Sequence, residues 1–128
     1  MRSITLFGTT VATNTTTDTA IPASPTFRTS SCKKARGDMC IIGINGNIQV
    51  ALGIQTSNDT QTWTDHTSTM VLSYTAANGW VHAGSFGDLS SFTDGKQYFR
   101  FVWYVKLSSG TTLATAYVYG NADAVPMS

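Results

Sequence analysis

The stretch Gln97-Tyr98-Phe99-Arg100-Phe101-Val102-Trp103-Tyr104-Val105-Lys106-Leu107 alternates in hydropathy with a period of two. Successive side chains of a β-strand point to opposite faces, so this pattern defines an inward face. That face carries Phe99, Phe101, Trp103, Val105 and Leu107. Each of its three aromatic rings would bury about 150–250 Å². The stretch therefore predicts a half-buried strand in the middle of a sheet.

Two hairpins are predicted around short turns. Ser108-Ser109-Gly110 interrupts the alternation and residues 111–120 resume it, which indicates a hairpin with a glycine-containing turn. Asn45-Gly46, a strong hairpin signal, separates the apolar run 39–44 from the alternating run 47–56. In the second run we expect four residues to be buried on one face, namely Ile48, Val50, Leu52 and Ile54.

The rest of the chain also reads as short strands and turns. Further strands are predicted within 3–7, 25–30, 70–74 and 80–83, a loop over 84–95, and a short tail over 122–128 containing Pro126. Thr is abundant and Glu is absent, which disfavours helices. The predicted fold is all-β: a single antiparallel β-sandwich, jelly-roll-like, with seven or eight strands and an N-terminal extended arm.

Residues 1–24 are predicted to form this arm, with a short strand in it, and residues 25–128 the sandwich domain. The Thr- and Ala-rich segment 9–24 offers little apolar area to offset the entropy of ordering, about 1–2 kcal/mol per residue. Either the domain's own sheet or a neighbouring chain should therefore order the arm, and we predict that contacts with a neighbour do so. The expected contact is pairing of 4–7 with a neighbour's sheet edge, which makes Ile4, Leu6 and Phe7 candidate partner-binding residues.

The amino-acid composition of the chain limits the kinds of partner that it is expected to bind. Eight Lys and Arg balance seven Asp, the formal net charge is +1, and only 12% of the 128 residues are charged. Electrostatic attraction to nucleic acid or to an anionic membrane is not expected from such a chain. No apolar run approaches the length of a membrane span, and the first residues lack the apolar core of a signal peptide, so we expect no attachment to a membrane. Cys32 and Cys40 could close a small loop or remain two thiols.

No catalytic or metal-binding pattern is present. His66 and His82 lack partners at metal-ligand spacing, and no nucleophile motif or Gly-rich phosphate loop occurs. Most Asp residues fall in turns, where their role is local hydrogen bonding. We predict a protein that is not an enzyme and uses no cofactor and no metal.

Two further sets of side chains are candidate contacts for a partner. Residues 31–38 are predicted to form an exposed polar loop, in which Lys33, Lys34 and Arg36 could meet an acidic patch or be merely solvated. Across the predicted hairpin of 97–120, tyrosines would share an outward face that could bind a protein or stack on a sugar, or be covered by the chain itself. These tyrosines are Tyr98, Tyr104, Tyr117 and Tyr119.

The segment 55–64, in which a Ser-Asn-Asp turn precedes Trp63, is followed later by Tyr-Phe-Arg-Phe at 98–101. Together with the opening Ile-Thr-Leu-Phe at 4–7 and the Thr- and Ala-rich stretch, this pattern resembles small β-sandwich structural proteins of tailed bacteriophages. The second half alone is also similar to discoidin-like carbohydrate- and lipid-binding sandwiches. The chain departs from the discoidin pattern by its shortness and by lacking the terminal disulfide of that family.

The phage resemblance implies a head decoration, or cement, protein of the virion, made in the host cytoplasm. Such proteins bind a preformed lattice of the major capsid protein, often as trimers. The expected partners are therefore the major capsid protein and further copies of this chain, with no nucleic acid and no membrane. The alternatives are a carbohydrate-binding module and a tail or fibre component.

Overall fold

The computed structural model describes residues 2–28, 32–37, 39–65, 72–76, 82–83, 87–88 and 96–126, and within them fourteen strands and no helix. The strands are β1 (Arg2–Thr5), β2 (Thr9–Thr13), β3 (Thr19–Pro22), β4 (Phe27–Arg28), β5 (Cys32–Gly37), β6 (Cys40–Asn45), β7 (Ile48–Ser57), β8 (Thr64–Asp65), β9 (Leu72–Ala76), β10 (His82–Ala83), β11 (Gly87–Asp88), β12 (Tyr98–Leu107), β13 (Ala114–Tyr119) and β14 (Asn121–Pro126). No described helix is long and apolar enough to cross a membrane.

Most of these strands are halves of longer, interrupted strands. In six cases, two strands that follow each other in sequence lie one after the other beside the same adjacent strand or pair of strands. These pairs are β1/β2, β3/β4, β5/β6, β8/β9, β10/β11 and β13/β14. With the unbroken β7 and β12, the described chain therefore contains eight long strands in sequence, which we number 1 to 8. The prediction of seven or eight strands is thereby confirmed.

The eight long strands form two four-stranded layers. In sheet one the spatial order is strand 1 (β1/β2), strand 8 (β13/β14), strand 3 (β5/β6) and strand 6 (β10/β11). In sheet two it is strand 2 (β3/β4), strand 7 (β12), strand 4 (β7) and strand 5 (β8/β9). All pairings are antiparallel, and the longest runs from Tyr98 opposite Ser57 to Leu107 opposite Ile48. The predicted antiparallel sandwich is confirmed.

The core lies between the inward faces of the two sheets. The predicted inward residues of β7 and β12 are all buried, and Phe99, Phe101 and Trp103 are fully so. Sheet one contributes smaller apolar side chains to the same cluster, among them Ile41, Ala116 and Val118. Large aromatic side chains on one layer thus face small ones on the other.

Both predicted hairpins are wrong, although the strands themselves exist. β6 pairs with β13 in sheet one, whereas the next strand, β7, pairs with β12 in sheet two. The turns Asn45-Gly46 and Ser108-Ser109-Gly110 therefore carry the chain from one sheet to the other. Gly46 adopts φ of +91°, and a Cβ there would lie 2.9 Å from the Cβ of Ala114, so glycine is required for this tight crossing.

Residues 2–24 do not extend away from the sandwich in the structure. β1 pairs with β14, β2 with β13 and β3 with β12. Ile4, Leu6 and Val11 are buried in the chain's own core. The expected arm is corrected: sheet partners within the chain provide the burial that the local composition lacks.

Three other expectations are corrected as well. The predicted tail contains β14, an inner strand of sheet one that ends at Pro126, where the missing N–H is tolerated. The predicted exposed loop 31–38 contains β5, another inner strand, and the predicted loop 84–95 contains β11. The expectations for His66 and for the start of the predicted strand 80–83 lie outside the described residues.

Candidate functional site

The outer face of sheet two carries a polar network. The Tyr104 hydroxyl donates a hydrogen bond to Asp65 Oδ1, and Gln55 Nε2 donates to the same oxygen at 3.3 Å. The Gln55 Oε1 accepts from Arg100 Nε at 3.2 Å and from its terminal nitrogen at 2.9 Å. The Arg100 guanidinium also stacks 4.2 Å from the ring centroid of Trp63.

This network connects strands 4, 5 and 7 and has a structural role, not that of a binding site. Tyr104 and Gln55 are buried, and burial, followed by the bond to Asp65, raises the pKa of Tyr104 above its ordinary value. Burial also lowers the pKa of Arg100 from its ordinary value. Because these hydrogen bonds join side chains on three adjacent strands, we conclude that the network fixes β8 to β7 and β12.

The turn after β7 is held by an aspartate, as predicted. Asp59 Oδ1 accepts hydrogen bonds from Gln61 N at 2.9 Å, from Thr62 N at 2.8 Å and from Ser57 Oγ at 2.9 Å. These bonds, the one from Thr62 N first, lower the pKa of Asp59 to about 2. They also hold Thr60 at φ of +62°, which is unusual for a residue with a Cβ. The role of Asp59 is therefore structural.

The outer face of sheet one presents two neighbouring tyrosine rings. Tyr117 and Tyr119 are 40% and 41% exposed, with ring centroids 5.9 Å apart and ring planes inclined by 41°. Tyr119 lies opposite Cys40 on the next strand, and interaction with this free thiol raises the pKa of Tyr119 above its ordinary value. The Tyr117 ring reaches the other way, over Gly8.

A concavity of about 460 Å³ lies beside these rings. It spans the junctions of β1 with β2 and of β13 with β14. The residues that line it are Thr5, Leu6, Gly8, Ile42, Tyr117, Tyr119, Gly120 and Asn121. None of them is charged, and Thr5 and Asn121 bring exposed polar side chains to its border.

The residues that the sequence suggested as partner contacts do not form one surface in the structure. Ile4 and Leu6 are 7% and 3% exposed and Tyr104 is 4% exposed, so these three serve the fold of the chain itself. Phe7 is 48% exposed, but its backbone bonds are internal: its N–H donates to Ala23 O and its carbonyl accepts from Trp103 Nε1. The backbone N–H and the carbonyl of Phe7 therefore both have partners within the chain's own fold.

The four tyrosines do not share a surface, because their strands belong to different sheets. Tyr98 lies on sheet two, where the Arg28 guanidinium is 5.6 Å from its ring centroid, whereas Tyr117 and Tyr119 lie together on sheet one. Lys33, Lys34 and Arg36 are on β5, with Arg36 opposite Asp123 on one side and Asp88 on the other. Their side chains lie outside the described part of the structure.

Sequence reasoning missed Gly8 and Cys40 as neighbours of the tyrosines. Tyr119 lies opposite Cys40 only through the pairing of β13 with β6, and Gly8 comes close only because β1/β2 flanks β13/β14. The alternation of residues 114–119 does indicate that the two rings point outward. No sequence pattern at Gly8 or Cys40 predicts that these residues lie beside the two rings.

Eight strands in two antiparallel sheets, with strand 1 beside 8, 2 beside 7, 3 beside 6 and 4 beside 5, define a jelly roll. This class of fold occurs in virus capsid proteins, lectins and cupins. Within the described part of the chain no group of three or more His, Cys, Asp or Glu side chains could hold a metal ion.

Solved structures of infectious bursal disease virus proteins are similar to this chain. The crystal structure of the VP2 subviral particle aligns with a TM-score of 0.58 at 12% identity over 94% of this chain and 31% of the other. Structures of the Gx and Gt strains align with TM-scores of 0.58 and 0.55 at 10% and 13% identity, again over 94% of this chain. This chain spans 30% to 31% of the length of those proteins. No protein-family model matches the chain, and no curated protein is similar to it in sequence.

At such low identities the likeness shows the fold. It agrees with the predicted all-β sandwich and with a fold used by a protein of a virus particle. The finer resemblance to tailed-phage decoration proteins remains a proposal.

Proposed function

We propose that the protein is a non-enzymatic structural component of a virion. The observation that carries this proposal is the complete jelly-roll strand order, together with its likeness over 94% of the chain to VP2 of a subviral particle. The low content of charged residues, 12%, supports a protein whose surface meets other proteins rather than nucleic acid.

Within this role we propose a decoration protein that binds a preformed lattice of the major capsid protein, as a homo-oligomer and most simply as a trimer. The chain comprises one sandwich and spans less than one third of its structural neighbours. The resemblance of residues 4–7, 55–64 and 98–101 to structural proteins of tailed bacteriophages supports this narrower role. The exposed side chain of Phe7 is the candidate apolar contact for the lattice.

Sedimentation with capsid shells tests the proposal. The chain would be mixed with empty shells assembled from the major capsid protein encoded beside it, and bound protein would be measured after pelleting. Saturable binding at a fixed ratio to the shell subunits is expected, with the free chain sedimenting as a small oligomer. Closed particles formed by the chain alone would instead indicate a shell protein, and immunogold labelling of the tail would indicate a tail or fibre component.

A further inference from the structure

The concavity beside Tyr117 and Tyr119 has a composition suited to a small uncharged ligand. Its volume of about 460 Å³ falls within the range of about 300–1,000 Å³ found for small-molecule sites. Its lining combines two aromatic rings with Leu6 and Ile42, and exposed polar groups of Thr5 and Asn121 stand at the border. The absence of charge from this lining matches a neutral ligand better than an anionic or cationic one.

The two rings are held in place before any ligand arrives. The two rings lie against each other with centroids 5.9 Å apart, and the Tyr117 ring lies over Gly8, where a side chain would collide with it. Each ring is still about 40% exposed. Fixed, half-open aromatic faces lose little entropy on binding, which favours ligands that stack.

We propose that this concavity binds a neutral saccharide, whose apolar ring faces stack on Tyr117 and Tyr119 while Thr5 and Asn121 hydrogen-bond its hydroxyl groups. Tyrosine suits this task because it offers a large apolar face with a polar tip. A protein partner is less well matched to the concavity itself, because a stable protein interface needs about 800 Å² on each side. The site is independent of the proposed virion role, and either proposal can fail without the other.

The test uses lactose, maltotriose and N,N′,N″-triacetylchitotriose as probes, each at about 10 mM, which would nearly saturate a site of millimolar affinity. Saturation-transfer NMR and titration calorimetry on the full chain would detect binding. We expect at least one of these sugars to bind and to perturb the ring signals of both tyrosines. Failure of all three sugars would overturn the proposal.

Variants assign the binding to this site. Tyr117→Ala and Tyr119→Ala should each weaken binding about tenfold, in line with the loss of about 1–1.5 kcal/mol of aromatic contact. Gly8→Ala keeps both rings but overlaps the Tyr117 hydroxyl and places a methyl group 3.1 Å from its Cζ, so it should also weaken binding by shifting the ring. The matched control is Tyr98→Ala, on the other sheet, which should leave affinity unchanged.

Thermal melts would show that each variant is folded. Affinity unchanged by both tyrosine substitutions would refute the site. Sedimentation velocity on the same variants distinguishes a saccharide from a second copy of this chain as the occupant of the surface. If Tyr117→Ala dissociates an oligomer and no sugar binds, the surface is an interface between copies of this chain and the saccharide proposal is wrong.

Discussion

The indole nitrogen of Trp103 donates a 3.0 Å hydrogen bond to the carbonyl oxygen of Phe7. Trp103 is fully buried on β12 of sheet two, and Phe7 lies between β1 and β2 at the edge of sheet one. The N–H of Phe7 in turn donates to Ala23 O at 2.7 Å, next to β3 of sheet two. The beginning of the chain is thereby tied to both layers of the sandwich.

Removal of residues 1–24 should therefore unfold the domain. The deletion takes away β1, β2 and β3 together with the buried side chains of Ile4, Leu6 and Val11. Circular dichroism of a chain starting at Pro25 should show no cooperative thermal transition. Phe7→Ala is the control, because its bonds use backbone atoms, and it should change stability by no more than about 1 kcal/mol. A truncated chain with an unchanged melting temperature would show instead that residues 1–24 are an arm that the sandwich does not need.

Phe101→Ala should destabilise the protein by about 3–5 kcal/mol. Phe101 is fully buried and packs edge-on against Phe99 with ring centroids 5.9 Å apart, so truncation leaves a cavity between the sheets. Urea denaturation gives the free energy of unfolding. Leu113→Ala, at a position 59% exposed, should stay within about 0.5 kcal/mol of the unsubstituted chain.

The glycines of the two sheet-crossing turns should differ in their tolerance of alanine. Gly110 has φ of +76°, and a methyl group on its Cα would meet nothing within 4 Å, so Gly110→Ala should cost only the backbone strain of about 1–2 kcal/mol. Gly46→Ala adds overlap with the buried Ala114 and should cost about 1–3 kcal/mol more. Equal costs in urea denaturation would contradict the close approach at Gly46.

Asp59 should titrate well below a free aspartate. Its pKa is lowered from 3.8 to about 2, so the folded state binds this proton less readily than the unfolded chain. The stabilisation is then complete above pH 3.8 and is lost as the pH falls through about 2. Carboxyl carbon NMR would follow the titration directly. A midpoint near 3.8 would show that the turn 57–62 does not hold the carboxylate, and Asp59→Asn should lack this pH dependence.

Tyr104 should resist ionisation in alkali. Burial and the bond to Asp65 raise its pKa above the ordinary value of about 10. Its contribution to stability is therefore full below pH of about 10 and is lost only as the pH rises through the higher folded pKa. Ultraviolet titration of the folded chain and of Tyr104→Phe should count the same number of tyrosinates near pH of about 11, and one more in the unsubstituted chain would contradict the burial.

Strand positions and inward faces could be predicted because alternation is a local property. Phe99, Phe101 and Trp103 repeat every second residue, and this spacing alone assigns their face. Strand partners could not be predicted in this way. Asn45-Gly46 fits a hairpin, yet Ile41 pairs with Val118, far along the chain, and only the assembled sheets decide between the two arrangements.

The same limit applies to the candidate site. The outward positions of Tyr117 and Tyr119 follow from alternation, but the same argument placed Tyr104 outward, where it is nevertheless buried against Ala51 and Val102. Burial of an outer face depends on what covers it, which no local pattern records. The roles of Gly8 and Cys40 beside the tyrosines likewise arise only from tertiary pairing.

The pairing of strand 1 with strand 8 has a consequence for how the protein is made. Ile4 lies opposite Ala122, so β1 can find its partner only after the more than one hundred residues between them have been synthesised. Closing such long loops is entropically costly, and folds dominated by distant contacts form in milliseconds to seconds rather than microseconds. β7 with β8 and β9 is available much earlier, because these strands are neighbours in sequence. On the ribosome, sheet two can begin to form while β1 and β2 still have an unpaired edge, and synthesis of β13 and β14 allows sheet one to be completed.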